Sequence, residues 1–173
     1  MDVERNLVPI IRNPYHELGA ILEGVAGTFT SIQRVNGFME RIATYPDIEI
    51  VASVPADYEV EKGLNVATDI LTANPDVAAI YCCNDNMALG AVEALRAQNL
   101  LGKVIVLGVD GTGDAYTSIA AGEMTATVDQ FPAVNGAAAV EAAIRLLAGQ
   151  DLPRVISTPI EVIDAANMAE YGK

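Results

Sequence analysis

What most constrains this chain is the alternation of short apolar runs with stretches whose apolar residues recur at helical spacing. The runs are Gly19 to Glu23, Ile48 to Ser53, Val77 to Cys83, Val104 to Gly108 and Thr125 to Asp129, each of strand length. Between them Val35, Phe38, Met39 and Ile42 repeat at i, i+3, i+4 and i+7, as do Ala88, Ala91, Val92 and Leu95. Leu64, Ala67, Ile70 and Leu71 make a third stripe of the same kind. Such a stripe buries one side of a helix, so each helix must lie on something apolar, and the neighbouring runs supply it. Strict strand-then-helix order with short connections predicts a three-layer α/β/α fold with a mainly parallel sheet, covered on both faces by right-handed crossovers. At 173 residues, with 51% of them apolar, the chain has material for one such core.

That fold class directs attention to one edge, because ligands of open parallel sheets settle beyond the carboxyl ends of the strands. The residues there are Gly24 to Ser31, with Arg34 in the first helical turn, then Asp57-Tyr58, Asn84-Asp85, Asp110 and Gln130, one group after each run. Arg34 only donates hydrogen bonds, Asp110 only accepts them, and Asn84 and Gln130 do both. That mixture suits the neighbouring hydroxyls of a polyol, and Tyr58 offers a ring for the apolar C–H face of a sugar. The competing reading is helix capping and loop solvation. Thr30 with Gln33 has the spacing of a capping box, and Asn84-Asp85 and Thr112-Gly113-Asp114 carry oxygens suited to unpaired N–H groups. Asp85 fits a cap better than a ligand contact.

Charge and composition exclude several classes. Ten basic side chains against 23 acidic ones give a formal charge of −13, which repels phosphate backbones and anionic membranes, so no nucleic acid is expected as a partner. Apolar runs such as Val104 to Leu107 are far shorter than a membrane span, and Met1-Asp2-Val3-Glu4 lacks the basic and apolar regions of a signal peptide. Cys82 and Cys83 are adjacent, so in a strand they point to opposite faces and are expected to be packing residues. His16 is the only histidine, and no spacing supplies a zinc site. Neither a metal nor a cofactor is expected.

The segments Glu23-Gly24-Val25-Ala26-Gly27-Thr28, Pro55-Ala56-Asp57-Tyr58, Lys62-Gly63-Leu64-Asn65, Asn84 through Ala91 and Asp110-Gly111-Thr112 occur in an order that resembles the C-terminal half of ribose- and allose-binding proteins. These are periplasmic receptors of bacterial ABC sugar importers, with a type I periplasmic-binding, Rossmann-like or flavodoxin-like fold. The resemblance covers roughly residues 17 to 164. It implies a monosaccharide ligand, the membrane subunits of an ABC importer as partners and a periplasmic or other extracytoplasmic location. It places Arg34, Asn84, Asp110 and Gln130 where the family hydrogen-bonds the sugar, and Tyr58 where the family has an aromatic ring. Val109 departs from the ribose-type pattern, which has another aromatic residue there, whereas Tyr81 and Cys82-Cys83-Asn84 look closer to the allose branch.

The resemblance also implies an organisation in which the whole chain, 1–173, is a single lobe. Residues 17–131 would be the sugar-binding core, 132–157 a crossover helix and connection that belongs to the other lobe in the family, and 158–173 a return strand and tail. Residues 1–16 match poorly, because Pro9 and Pro14 would interrupt the helix that the family has there. The helix near Ala133 to Ala148 carries Val134, Ala137, Ala138, Ile144 and Leu147, a stripe that needs cover. It is expected either to fold back on its own sheet or to pair with a second copy through residues 133–148.

Enzyme readings fail at particular positions. A haloacid-dehalogenase-like phosphotransferase needs an aspartate two residues before Asp110, where this chain has Gly108. A response regulator needs a lysine at the end of the fifth strand, where Asp129-Gln130 stands. The glycines of Gly108 to Gly113 lack dinucleotide-binding spacing. Two non-enzymatic alternatives remain beside the receptor: the effector domain of a LacI-type regulator, which would need a basic helix-turn-helix upstream, and a scaffold lobe without ligand affinity.

Overall fold

The computed structural model describes residues 17–171. The poorly matched segment 1–16, with Pro9, Pro14 and His16, therefore lies outside the described residues. Six strands form one sheet: β1 Glu17–Glu23, β2 Ile48–Pro55, β3 Val77–Cys82, β4 Ile105–Asp110, β5 Ala126–Asp129 and β6 Glu161–Asp164. Five α-helices accompany them: α1 Phe29–Ile42, α2 Val60–Ala73, α3 Asp85–Ala97, α4 Gly113–Ala120 and α5 Pro132–Leu147. The strand order is β2-β1-β3-β4-β5-β6. All pairs are parallel except β5 with β6, in which Ala126 faces Asp164 and Asp129 faces Glu161.

The order reverses direction once, since β1 to β2 steps one way and β2 to β3 to β4 to β5 the other. With right-handed crossovers, α1 lies on one face and α2, α3 and α4 on the other. The second face holds the core: Leu22, Ile80, Cys82 and Val106 from the strands meet Ala67, Met87, Ala88, Ala91 and Leu95 from the helices. The two helices approach closely because glycines face each other across the contact. A Cβ on Gly90 would come within 2.2 Å of the Val60 carbonyl oxygen, and one on Gly63 within 2.7 Å of the Met87 carbonyl oxygen.

Two expectations need correction, and a third, cover on both faces, is met unevenly. The α1 side of the sheet is a shallow apolar hollow lined by Phe38, Tyr81, Leu107, Val128 and Val162. There the Phe38 ring from α1 stacks on Tyr81, 4.4 Å between centroids and 2° from parallel. The Thr30 capping box does not form, because α1 begins two residues earlier than that cap would start it, at Phe29 with Thr28 as the N-cap. The Thr28 hydroxyl donates to the Val25 carbonyl at 2.8 Å instead. Nor does α5 fold back: it buries no side chain, and Ile144 and Leu147 remain 56% and 89% exposed. The turn into it is set by Phe131, whose φ of 46° directs the chain away before Pro132 starts the helix.

Candidate functional site

The carboxyl ends of β1 to β5 bring the expected residues to one rim. Asp110 is the last residue of β4, Gln130 follows β5, Asn84 follows β3, and Arg34 reaches in from the second turn of α1. Arg34 Nη2 donates to Asp110 Oδ1 at 2.9 Å, and Gln130 Nε2 donates to the same oxygen at 2.9 Å. Arg34 Nη1 donates to the Cys83 carbonyl at 2.5 Å, so the guanidinium is held by two elements at once. No donor among the described residues reaches Asp110 Oδ2. One carboxylate oxygen is thus engaged in orienting the cluster while the other is left as an acceptor. The side chains of Arg34 and Asp110 are 18% and 35% exposed, so the pair is neither in bulk water nor sealed from it. Burial pushes the Asp110 carboxyl above the usual carboxylate range, against the pull of Arg34 and the Gln130 amide.

Asn84 serves two roles. Its Oδ1 accepts from the Met87 amide at 3.0 Å and caps α3, while its Nδ2 is directed to the Tyr58 carbonyl at a long 3.4 Å. The capping reading of this residue holds, and because an amide side chain has two ends, its Nδ2 is still directed to the turn that carries Tyr58. Asn86, which sequence reasoning passed over, also sends Nδ2 to the Tyr58 carbonyl at 3.4 Å. The turn carrying Tyr58 is held in an unusual shape, with φ of 53° at Asp57 and 66° at Tyr58. Lys62 donates to the Asp57 carboxylate at 2.8 Å and ties this turn to α2. Tyr58 joins the rim through this backbone contact and not through its hydroxyl. Its ring lies against Gly24, where an added Cβ would fall 2.0 Å from the ring carbon Cζ.

The Tyr58 hydroxyl is buried with no hydrogen-bond partner among the described residues. A buried, unmatched hydroxyl costs about 1–3 kcal/mol. Tyr58→Phe is therefore expected to leave stability unchanged or raise it by up to about 1 kcal/mol, read from the urea unfolding midpoint. A loss above about 1 kcal/mol would show that the hydroxyl has a partner in solution.

Asp85 is fully buried, as expected of a structural residue, although it caps no helix. The cap is Asn84, while Asp85 accepts from the Thr112 amide at 2.8 Å and from the Thr127 hydroxyl at 2.6 Å. Thr112 does cap α4, accepting from the Ala115 amide at 3.2 Å. Beside them Asp129, 1% exposed, accepts from the Tyr116 hydroxyl and from the Phe131 amide at 2.7 Å. This second carboxylate was missed because a strand-end aspartate in sequence looks like a rim residue, and only its register shows it pointing inward. Val109, the departure from the ribose-type pattern, is 6% exposed. Cys82 and Cys83 are both free and buried, and burial pushes the Cys83 thiol up to about 11, so neither is a ready nucleophile. Among the described residues no cluster of His, Cys, Asp and Glu could hold a metal ion.

This geometry has counterparts among known proteins. A family model described as a periplasmic binding protein domain matches residues 19–151. The D-allose-binding periplasmic protein of Escherichia coli strain K12 is 47% identical over 118 residues, covering 68% of this chain and 38% of that protein. Ribose import binding protein RbsB of Haemophilus influenzae is 39% identical over 142 residues, covering 82% of this chain and 48% of that one. Among solved structures, an ABC transporter periplasmic solute binding protein from Actinobacillus succinogenes 130z with bound D-allose superposes with a TM-score of 0.86 at 42% identity. The match covers 90% of this chain and 55% of that one. A solute binding protein from Bacillus halodurans with bound myo-inositol gives a TM-score of 0.82 at 30% identity. The chain spans about half the length, or less, of these relatives. With sheet order, rim and family model in agreement, the chain belongs to the periplasmic binding protein domain family and forms one lobe of that fold.

Proposed function

We propose that this lobe binds a monosaccharide of allose or ribose type at the rim formed by Arg34, Tyr58, Asn84, Asp110 and Gln130, without chemistry, as part of a sugar receptor for an ABC importer. The observation that carries the reading is the convergence of Arg34 and Gln130 on one oxygen of Asp110, which leaves the other oxygen as an acceptor at the rim. A fixed acceptor beside fixed donors matches vicinal hydroxyls, each of which donates and accepts. The relatives support it over the regulator and scaffold readings, since they are named as binding proteins for allose and for ribose import. Location in the periplasm and contact with importer membrane subunits follow from the same reading.

A single open lobe surrounds less of a ligand than a closed pair, so the affinity expected is weak, with Kd on the order of 1 mM. Titration of isotope-labelled protein with allose, ribose and galactose tests it. Amide shifts should concentrate at Asn84, Asp110, Gly111 and Gln130. If sugars at tens of millimolar, on the order of ten times that Kd, shift none of these amides, the reading is wrong.

The exposed stripe on α5 supports a division in which residues 17–131 are the binding core, 132–157 a crossing segment and 158–173 a return strand and tail. In that arrangement α5 meets a second body, and self-association through residues 133–148 is the form an isolated lobe would take. Because Ile144 is 56% exposed, Ile144→Asp should cost the monomer no more than about 0.5 kcal/mol. Light scattering over a range of concentrations should show a dimer that the substitution dissociates. A concentration-independent monomer in both proteins would rule the pairing out.

A further inference from the structure

We propose that Asp85 is a positioning residue: buried beneath the rim, its carboxylate holds the Asp110-Gly111-Thr112 turn in the backbone conformation that presents the Asp110 side chain. The proposal rests on the sugar-binding reading for its consequence but not for its geometry. Asp110 has φ of 129°, a value that residues with a Cβ avoid and that persists only where the surroundings impose it. The two amides that follow are both held by one buried assembly. Thr112 N–H donates to Asp85 Oδ2 at 2.8 Å, and Gly111 N–H donates at 3.3 Å to Thr127 Oγ1, which itself donates to Asp85 Oδ1 at 2.6 Å.

A role in helix capping or packing does not account for this arrangement. The amide that caps α3 belongs to Asn84, and both Asp85 oxygens bond other parts of the sheet and its loops. The residue is 0% exposed, and no cation among the described residues pairs with it. A buried carboxylate without a counter-charge is costly, and a small neutral residue would fill the space with less penalty. What the carboxylate adds is two strong acceptors set side by side, one taking the Thr112 amide directly and the other fixing the Thr127 hydroxyl that takes the Gly111 amide. β4 makes room for it at Gly108, where a Cβ would fall 2.3 Å from Asp85 Oδ1. At Gly111, with φ of 77°, a Cβ would meet Asp129 Cγ at 2.5 Å, so the turn is seated on both buried carboxylates.

The test uses Asp85→Asn, Thr127→Val and Asp110→Asn, alone and with Asp85→Asn added to Asp110→Asn. In ligand-free protein, Asp85→Asn should speed hydrogen exchange at Gly111 and Thr112 about tenfold relative to the helices. It should also weaken allose or ribose binding about tenfold when Asp110 is intact and add no further loss in the Asp110→Asn background. Unchanged exchange at these two amides, or an equal loss of affinity in both backgrounds, overturns the proposal, because a residue supporting only the fold would not act through Asp110. Should Asp85→Asn fail to fold, Thr127→Val keeps the carboxylate and the side-chain volume while removing the link to Gly111, and the same two readouts apply. If the wild-type protein binds no sugar, the functional reading fails while the exchange data still decide whether Asp85 holds the turn.

Discussion

Replacing Asp110 by alanine is expected to weaken sugar binding by at least about thirtyfold, bringing an already weak interaction below detection in the amide-shift titration. The change removes the acceptor that Arg34 and Gln130 share and the free oxygen beside it. Hydrogen bonds to a charged group contribute about 1.5–3 kcal/mol each, and the lower end applies here because the Asp110 side chain is about one-third exposed. Arg34 keeps its bond to the Cys83 carbonyl but loses its counter-charge, so its guanidinium becomes free to turn. The matched control is Glu93→Ala, whose partner Arg96 also bonds Glu123 and lies at the surface away from the rim. That substitution should leave binding within about twofold, as expected of an exposed ion pair. Retention of affinity in Asp110→Ala would remove the residue on which the proposed site is centred.

Gly90→Ala is expected to be the most damaging single-methyl change in the lobe. Its Cβ would sit 2.2 Å from the Val60 carbonyl oxygen and 2.6 Å from the Leu64 nitrogen, both backbone atoms of α2. No rotamer relieves a contact between a Cβ and backbone, so the helices must separate. Separation loosens the layer formed by Ala67, Met87, Ala88 and Ala91, all of them 0% exposed. Overpacking of this kind costs about 3 kcal/mol, which for a domain of this size lowers Tm by roughly 6–12 °C. Gly136→Ala is the contrast, for nothing lies within 4 Å of the site where its Cβ would be built. There alanine should stabilise α5 by about 0.5–1 kcal/mol through helix propensity. Calorimetry of the two variants side by side checks both signs, and equal melting temperatures would contradict the close helix contact.

Much of this lobe is legible in the residues. The apolar run at Val77 to Cys83 falls within a residue of β3, because a strand buried beneath helices has to be apolar whatever its neighbours do. The run at Ile48 to Ser53 falls within two residues of β2, an edge strand that is half-buried or exposed along its length. The rim follows from the same logic. Once parallel strands alternate with helices, their carboxyl ends share an edge, and Arg34, Asn84, Asp110 and Gln130 are carried there together. Asn84 and Thr112 act as caps as expected, since a short polar side chain before a helix bonds an amide within its own first turn.

The remainder was decided between segments far apart in sequence. Thr30 and Gln33 have capping-box spacing, yet the Val25 to Thr28 turn starts α1 early and leaves that spacing unused. The apolar stripe of α5 reads as a core helix, but a stripe records only that a face needs cover and not where the cover is, and here the Phe131 turn carries it off the sheet. Asp85 and Asp129 are the sharpest case. In sequence each is one more acidic residue near a strand end, in a chain with 23 of them. Local pattern determined the strands, the helices and the edge that holds the rim, because those depend on the period of apolar residues along one segment. The joining of Arg34 to Asp110 across 76 residues, the approach of α2 to α3 through Gly63 and Gly90, and the burial of two carboxylates beneath the rim were decided only by tertiary structure, since each depends on distances between segments that no local spacing encodes.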